Sequence, residues 1–301
     1  MKHIFVINPS AGRVDSSADI IEKLHAYDGR IDYQTYVTTC AGDGTRFVRE
    51  TCAANPDEQL RFYACGGDGT INEVVSGLIG FANAQLSCYP CGSGNDYIKY
   101  YGTQADYLDL DRLIDGVPHQ VDVMRLGDRY SINVCNLGFD AEVVRTMIQV
   151  KRKPLIGGTH AYTTGIVKAI FTGRKNICTI TVDGETFHDG KMLLCTLSNG
   201  QYVGGAYRCA PHSKNDDGLL EVCLVKPMSI PRFARMINVY RDGRHLDDPS
   251  CRDVVQYRQG REVVITSPDP IYLVVDGDII RGNRFHIENI SHAVTFVSPR
   301  P

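Results

Sequence analysis

Residues 60–80 read LRFYACGGDGTINEVVSGLIG: a strand, a glycine turn and a helix in succession. Residues 60–65 are the short apolar run of a buried parallel strand, and Ile71, Val74, Val75 and Leu78 recur at helical spacing directly after the glycines. Thr70 and Glu73, three apart, have capping-box spacing, in which the Thr hydroxyl accepts from the Glu73 N–H and the Glu carboxylate reaches back to the Thr70 N–H. That spacing predicts a helix starting at Thr70, delivered by a turn of Gly66, Gly67 and Gly69. Glycine suits such a turn because it takes backbone angles closed to other residues and, lacking a Cβ, lets a phosphate approach N–H groups at the positive end of a helix. Asp68 puts a carboxylate beside that end, which suits a phosphate held through a metal ion or its water shell better than a bare anion pocket. An ordinary tight βα turn with an acidic residue near the cap is written in the same letters.

The same rhythm precedes this stretch twice. Residues 3–8, HIFVIN, form a buried-strand pattern, followed by the loop Pro9-Ser10-Ala11-Gly12 and a helix over 16–27. Residues 31–39 form a second strand ending in Thr38-Thr39, and a helix over 42–55 carries Phe47, Val48 and Cys52 on one side. Residues 86–90 are a fourth strand running into a second glycine turn, Gly92-Ser93-Gly94-Asn95-Asp96. Such βα alternation argues a parallel sheet with helices on both faces and ligands beyond the carboxyl ends of its strands. After a helix at 108–115 the rhythm changes. Strands are expected at 119–126, 130–137, 176–182, 192–198, 219–225, 263–267, 271–275 and 293–297, with hairpin signals such as Asp183-Gly184. Helical patterns stand at 141–150, 161–171 and 230–240. The expected organisation is an α/β domain over 1–126 and a β-rich domain over 127–301, closely packed around a cleft, with the last strand able to return to the first domain. There is no internal repeat, low-complexity segment or long linker.

Composition narrows the function. The 301 residues are 43% hydrophobic and 22% charged, as in an ordinary globular protein long enough for two domains. Lys+Arg 32 against Asp+Glu 35 leaves a net charge of -3, so no overall basic field recruits nucleic acid. Eleven cysteines include one C-x-x-C pair, Cys88 and Cys91, with nothing to complete a zinc site; buried, reduced thiols beside a turn are the expectation. The first residues enter a strand directly and no apolar run approaches the ~20 residues that cross a bilayer, so a cytoplasmic protein with at most peripheral membrane contact is expected.

Four groups of residues can carry chemistry. Asp68, Asp96 and Asp122 each stand in or near a predicted strand or its following turn; each alone reads first as a turn or cap residue, but together with the glycine loops, converging on one rim, they would hold Mg²⁺, directly or through water, against nucleotide phosphates. Asn8 through Gly12, with Thr38 and Ser93, offer small polar groups to line a nucleotide pocket. Asp216-Asp217-Gly218, flanked by Lys214 and Leu219, reads as an Asp-Gly hairpin or a loop for a hard cation. Asp276-Gly277-Asp278 reads as a hairpin turn whose carboxylate, held at the cleft, could accept a hydroxyl proton. A basic run at Arg145, Lys151, Arg152 and Lys153 suits a solvated helix end or anionic lipid headgroups.

Taken in order, NPSAG at 8–12, TT…GD at 38–43, GGDGTINEV at 66–74, GSGND at 92–96, VDV at 121–123, NVCNLGFDAEV at 133–143, APHSKNDDGLLEV at 210–222 and DGD at 276–278 resemble the soluble lipid kinases built on the diacylglycerol kinase catalytic domain, which include bacterial diacylglycerol kinases and sphingosine kinases. GGDGT alone also occurs in NAD kinases; GSGND and DDG favour the lipid branch. The resemblance implies an N-terminal nucleotide domain, a C-terminal β-sandwich-like domain and ATP in the cleft. On it, Asn8, Thr38, Gly66, Gly67, Asp68, Gly69, Thr70, Ile71, Asn72 and Ser93 would contact ATP. Asp68, Asp96 and Asp122 would form the network around a catalytic Mg²⁺, while Lys214 and Leu219, through backbone oxygens, and Asp217 would bind a second, structural Mg²⁺. The family's DGE motif supplies the general base, and its Glu falls on Asp278 here, one methylene shorter. The implied reaction is transfer of the ATP γ-phosphoryl to a lipid hydroxyl, diacylglycerol giving phosphatidic acid, by an enzyme touching the membrane peripherally. Family members can dimerise, and no stretch of this chain makes that case. Two other readings stand beside it: an NAD kinase, for which GSGND replaces the expected longer polar motif, and a nucleotide- or lipid-binding protein that has lost catalysis, for which Asp278 is the sequence support.

Overall fold

The computed structural model describes residues 1–138, 141 and 176–301. The helical patterns at 141–150 and 161–171, and the basic run at 145–153, lie outside the described residues apart from Ala141. Strands β1 (Lys2–Ile7), β2 (Asp32–Val37), β3 (Leu60–Gly66) and β4 (Ala84–Pro90) pair in parallel in the order β2-β1-β3-β4. Helices α1 (Ser17–Leu24), α2 (Asp43–Ala54) and α3 (Asp68–Leu78) connect them. Every residue of β3 is buried, as expected of a central strand covered on both faces. Two short helices, α4 (Gln104–Tyr107) and α5 (Leu110–Ile114), lead into β5 (Val117–Leu126).

From β5 onward the pairing is antiparallel, apart from the contact of the last strand with β4. It involves β6 (Arg129–Ser131), β7 (Val134–Gly138), β8 (Ile177–Val182), β9 (Glu185–Lys191), β10 (Leu194–Ser198), β11 (Leu220–Val225), β12 (Val255–Gly260), β13 (Glu262–Val275) and β14 (Asp278–Ser298), with α6 (Ile230–Arg241) between β11 and β12. An α/β half with a parallel sheet and a β-rich half are therefore both present. The two halves share one hydrogen-bonded sheet, and β14 is the seam. Its first part pairs with β13; from Glu288 on it pairs with β5, with a register shift between Ile290 and Val294, and it lies parallel to β4 through Thr295 and Phe296. Phe296 meets Tyr97 edge-on and Tyr101 face-on, each at 5.0 Å between ring centroids, so the last strand is built into the core of the first half.

Several local readings are corrected. The runs 263–267 and 271–275 are one strand with an irregularity between Thr266 and Ile271. The run 130–137 is two strands, because the N–H groups of Ile132 and Val134 donate to the Asp276 carboxylate at 2.9 and 2.8 Å. Strands β9 and β12, polar and partly exposed, carry no apolar signal to read. Asp183-Gly184 and Asp276-Gly277 do turn hairpins, all four with positive φ. Asp216-Asp217-Gly218 does not; it lies in the long connection, residues 199–219, between the antiparallel neighbours β10 and β11.

The capping box is also corrected. Helix α3 begins at Asp68, and Gly67 at its N-cap has no side chain to offer. The Glu73 carboxylate crosses to the start of α2, accepting the N–H groups of Gly42 and Gly44 at 3.0 Å each, while the Thr45 hydroxyl donates to the Glu73 carbonyl at 2.9 Å. The physical reason is that the α2 N-cap, Gly42, cannot cap its own orphan donors. Close approach makes the loan possible: a Cβ on Gly77 would stand 2.7 Å from Val48 Cβ and 2.8 Å from the Thr45 carbonyl. Glu73→Ala is accordingly expected to lower unfolding free energy by about 1–2 kcal/mol in urea titration. In hydrogen exchange, protection is expected to fall at the Gly42 and Gly44 amides while the body of α3 keeps its own.

Candidate active site

The loops after β1, β3 and β4 pack backbone against backbone. A Cβ on Gly92 would lie 2.4 Å from Gly67 Cα, and one on Gly12, whose φ is 77°, would lie 2.4 Å from the Cys91 carbonyl. No side chain larger than hydrogen fits either contact. The Cys91 and Gly92 N–H groups then donate to the Gly66 carbonyl at 2.9 and 3.2 Å, locking the two glycine turns together.

This contact brings Asp68 beside Asp96. Asp68 Oδ1 accepts the N–H groups of Asp96 and Tyr97 at 2.7 and 3.1 Å. A Cβ on Gly94 would stand 3.1 Å from Asp68 Oδ2 and 3.3 Å from Asp96 Oδ2, so two carboxylate oxygens border one small cradle that glycine keeps open. Burial, then the charge of Asp96, pushes the Asp68 carboxyl up to about 6 against the pull of its two N–H donors, with Asp276 adding a smaller push. Helix α3 starts at Asp68 with its positive end toward this edge of the sheet; the Thr70 and Ile71 N–H groups already donate to the Gly67 carbonyl at 2.9 and 3.1 Å, which leaves those of Asp68 and Gly69 as the orphan donors of the first turn.

The other expected residues distribute as follows. Asn8 Nδ2 donates to Thr70 Oγ1 at 3.1 Å, and Asn8 Oδ1 accepts the Ser10 N–H at 3.0 Å. Thr38 is tucked against the end of β1, its hydroxyl 3.3 Å from the Ile7 carbonyl, and Ser93 is exposed at the tip of its turn. Ile71 is a core residue whose N–H donates to the Gly67 carbonyl at 3.1 Å. Asn72 turns to the second half, donating to the Tyr130 carbonyl at 2.7 Å and Asp276 Oδ2 at 2.9 Å. Asp276 is therefore the buried, fully engaged carboxylate of the DGD turn. Asp278 opens β14 with its side chain 79% exposed, 3.8 Å from Arg129.

Asp122 does not share a rim with Asp68 and Asp96 through any direct bond. It is fully buried, with Oδ2 accepting from Gly218 N–H and Asn289 Nδ2 at 2.7 and 3.0 Å and Oδ1 from His292 N–H at 2.8 Å. Its role is to fix the 214–219 loop, where Asp217 Oδ1 accepts the Leu219 N–H at 3.0 Å and Lys214 is exposed. Among the described residues no group of three or more His, Cys, Asp and Glu side chains is arranged to hold a metal ion. The two carboxylate oxygens around Gly94 are hard donors, the chemistry that Mg²⁺, which keeps several waters and takes few protein ligands, would favour. The sequence reading missed Lys99, although its spacing of three from Asp96 was visible, and missed Gly205, Asn289 and His292, whose partners are distant in the chain.

A parallel sheet with glycine turns and paired carboxylates at its carboxyl edge is joined to an antiparallel half in one hydrogen-bonded sheet. The comparisons with known proteins agree and go further. The diacylglycerol kinase catalytic domain matches residues 2–126, and the YegS C-terminal NAD kinase beta sandwich-like domain matches residues 133–295. A diacylglycerol kinase of Bacillus subtilis (strain 168) is 30% identical over 278 residues, 91% of this chain and 88% of that protein. A protein of Chromohalobacter salexigens named "Probable lipid kinase YegS-like" is 33% identical over 271 residues, 87% of this chain and 83% of that protein. Among solved structures, a diacylglycerol kinase from Bacillus anthracis superposes with a TM-score of 0.72 at 19% identity, covering 99% of this chain and 96% of that one. Yeast NADH kinase shares the fold more loosely, with a TM-score of 0.52 at 12% identity over 99% of this chain and 83% of that one. The chain belongs to the diacylglycerol kinase family and is a lipid kinase.

The raised Asp68 carboxyl has a pH signature. Its native form holds a proton more tightly than the unfolded chain, so its contribution to stability is full below about pH 4 and is lost as pH rises to about 6. In metal-free protein, the stability of wild type relative to Asp68→Asn should fall by several degrees of Tm across that window. Mg²⁺ affinity should rise across the same window, as the carboxylate ionises.

Proposed function

We propose that this lipid kinase transfers the γ-phosphoryl group of ATP to the hydroxyl of diacylglycerol, giving phosphatidic acid, with Mg²⁺ at the Asp68–Asp96 pair. The observation that carries the proposal is the Gly94 cradle, bordered by two carboxylate oxygens at the N-terminus of α3. N–H groups of the Gly66–Thr70 turn would cradle the phosphates, and Asn8 and Thr70, already bonded to one another, would fix the edge of that cradle. Asn8, Thr38 and Ser93 border the nucleotide side. Mg²⁺, when bound, would neutralise charge on the phosphate oxygens. Asp217 with the Lys214 and Leu219 carbonyls would hold a second, structural Mg²⁺, and Asp122 would brace that loop from behind.

Asp276 and Asp278 divide the work of the DGD turn. Asp276 is fixed by Asn72, Ile132 and Val134 and positions the turn. Asp278, exposed and with Arg129 as its ion-pair partner among the described residues, is the carboxylate able to reach an incoming hydroxyl and take its proton as the oxygen attacks the γ-phosphorus in line. Positioning and electrostatics then supply most of the rate. The acceptor comes from a bilayer. No described helix is long and apolar enough to cross one, and the proposed contact is peripheral.

The test is ADP release from Mg²⁺-ATP against mixed micelles of diacylglycerol, sphingosine, monoacylglycerol or phosphatidylglycerol, with NAD as the soluble control. Turnover on diacylglycerol is expected, with a loss of at least a hundredfold in Asp68→Ala. Turnover on NAD alone would overturn the lipid assignment. Asp278→Asn is expected to lose about a hundredfold or more, whereas Asp278→Glu stays within a few fold of wild type. A large gain in Asp278→Glu would instead mark the natural chain as catalytically weak.

A further inference from the structure

The connection between β10 and β11 doubles back in a small finger. Val203 and Tyr207 exchange backbone hydrogen bonds at 2.9 and 3.1 Å, and Gly204 and Gly205 turn the tip with φ of 63° and 81°. The finger belongs to the antiparallel half, yet its tip grips the other half. The Gly205 N–H stands 3.0 Å from both carboxylate oxygens of Asp96. Lys99 closes the contact from the opposite side, its ammonium donating to Asp96 Oδ1 at 2.5 Å and to the Gly205 carbonyl at 2.7 Å. The base of the finger is held by Asn133, which donates to the Tyr202 carbonyl at 3.2 Å, while Lys99 and Arg208 face the Tyr202 ring at 5.9 and 6.0 Å from its centroid.

Asp96 therefore has two competing uses. Its Oδ2 borders the Gly94 cradle and at the same time accepts the Gly205 N–H. A divalent cation drawing on that carboxylate would set positive charge against an N–H dipole and an ammonium, which is repulsive at this range. The tip is not wedged in place by packing: Gly204, Gly205 and Ala206 are exposed, and a Cβ on Gly205 would meet nothing within 4 Å.

We propose that the finger from Val203 to Tyr207 is a latch on the carboxylate of Asp96, and that Lys99 is the positioning residue that fastens it, so that capture of a cation–phosphate ligand by Asp96 and release of the finger are one linked event. The proposal rests on the reading of Asp96 as a ligand-binding carboxylate. Linkage runs both ways: whatever loosens the latch strengthens ligand binding, and ligand loosens the latch.

The chain contains no tryptophan, so Tyr202→Trp makes a single reporter beneath the Lys99 ammonium. The experiment titrates this variant with Mg²⁺ and ADP, following Trp emission and, in parallel, binding heat. Emission is expected to change with the same midpoint as the heat. Gly205→Ala keeps every charge but strains the left-handed tip, and in that background the midpoint is expected about fivefold or more lower. Lys99→Ala should shift the midpoint in the same direction, and Lys99→Arg should restore it. Heat without any change of emission, or an emission change that persists in Asp96→Asn, would overturn the latch while leaving the nucleotide reading standing. Absence of both heat and emission change would overturn the two together.

Discussion

Two glycines, Gly67 and Gly92, touch through their backbones, and the site depends on that contact. Because neither carries a Cβ, the turns after β3 and β4 come close enough for the Gly66 carbonyl to accept the Cys91 and Gly92 N–H groups. The contact fixes the Asp96 and Tyr97 N–H groups against Asp68, and the pair of carboxylates around Gly94 follows from it. The price is a buried carboxyl, Asp68, pushed up to about 6. Such a group is poised to exchange a proton for a cation, which links the packing of two turns to the chemistry of phosphate charge.

A second carboxylate ties this site to the rest of the chain. Asp276 is half-buried at the hairpin between β13 and β14 with its carboxylate turned inward, and it accepts from Asn72 on α3 and from the Ile132 and Val134 N–H groups. Burial raises its pKa while those donors oppose the shift, so the bonds are what keep a charge tolerable there. The helix that begins at the phosphate-suited turn is thereby anchored to the antiparallel half. β14 completes the joint, since Phe296 sits in the aromatic cluster of the first half. The halves are joined on this side by the strand ladder of β14, and the finger that grips Asp96 is a much smaller contact between them.

Much of this was legible from residues alone, and the limits have physical causes. The strand–glycine turn–helix units were readable because buried parallel strands are written as apolar runs and the turns as glycines; the ranges of β3 and α6 came out nearly as observed. Glu73 misled because a local spacing was satisfied on paper while a neighbouring helix, capped only by Gly42, competed for the same carboxylate. The partners of Asp122 were likewise out of reach of the sequence. The strand position of that residue was right, but its partners, Gly218, Asn289 and His292, are contributed by segments far along the chain. The polar strands β9 and β12 were invisible because they are held by register rather than by an apolar face of their own. The Asp-Gly pairs at 183 and 276 obeyed hairpin rules, whereas Asp217-Gly218 is shaped by the Asp122 carboxylate behind it.

The most direct measurement is transfer of labelled γ-phosphoryl from ATP into extractable diacylglycerol by wild type and by Gly92→Ala, with melting temperature recorded for both. One added methyl at Gly92 must push the two glycine turns apart, since it would stand 2.4 Å from Gly67 Cα. The account predicts labelled phosphatidic acid from wild type and a loss of about a hundredfold in a Gly92→Ala protein that still folds. Equal labelling by the two proteins, or no labelling by wild type, would contradict it.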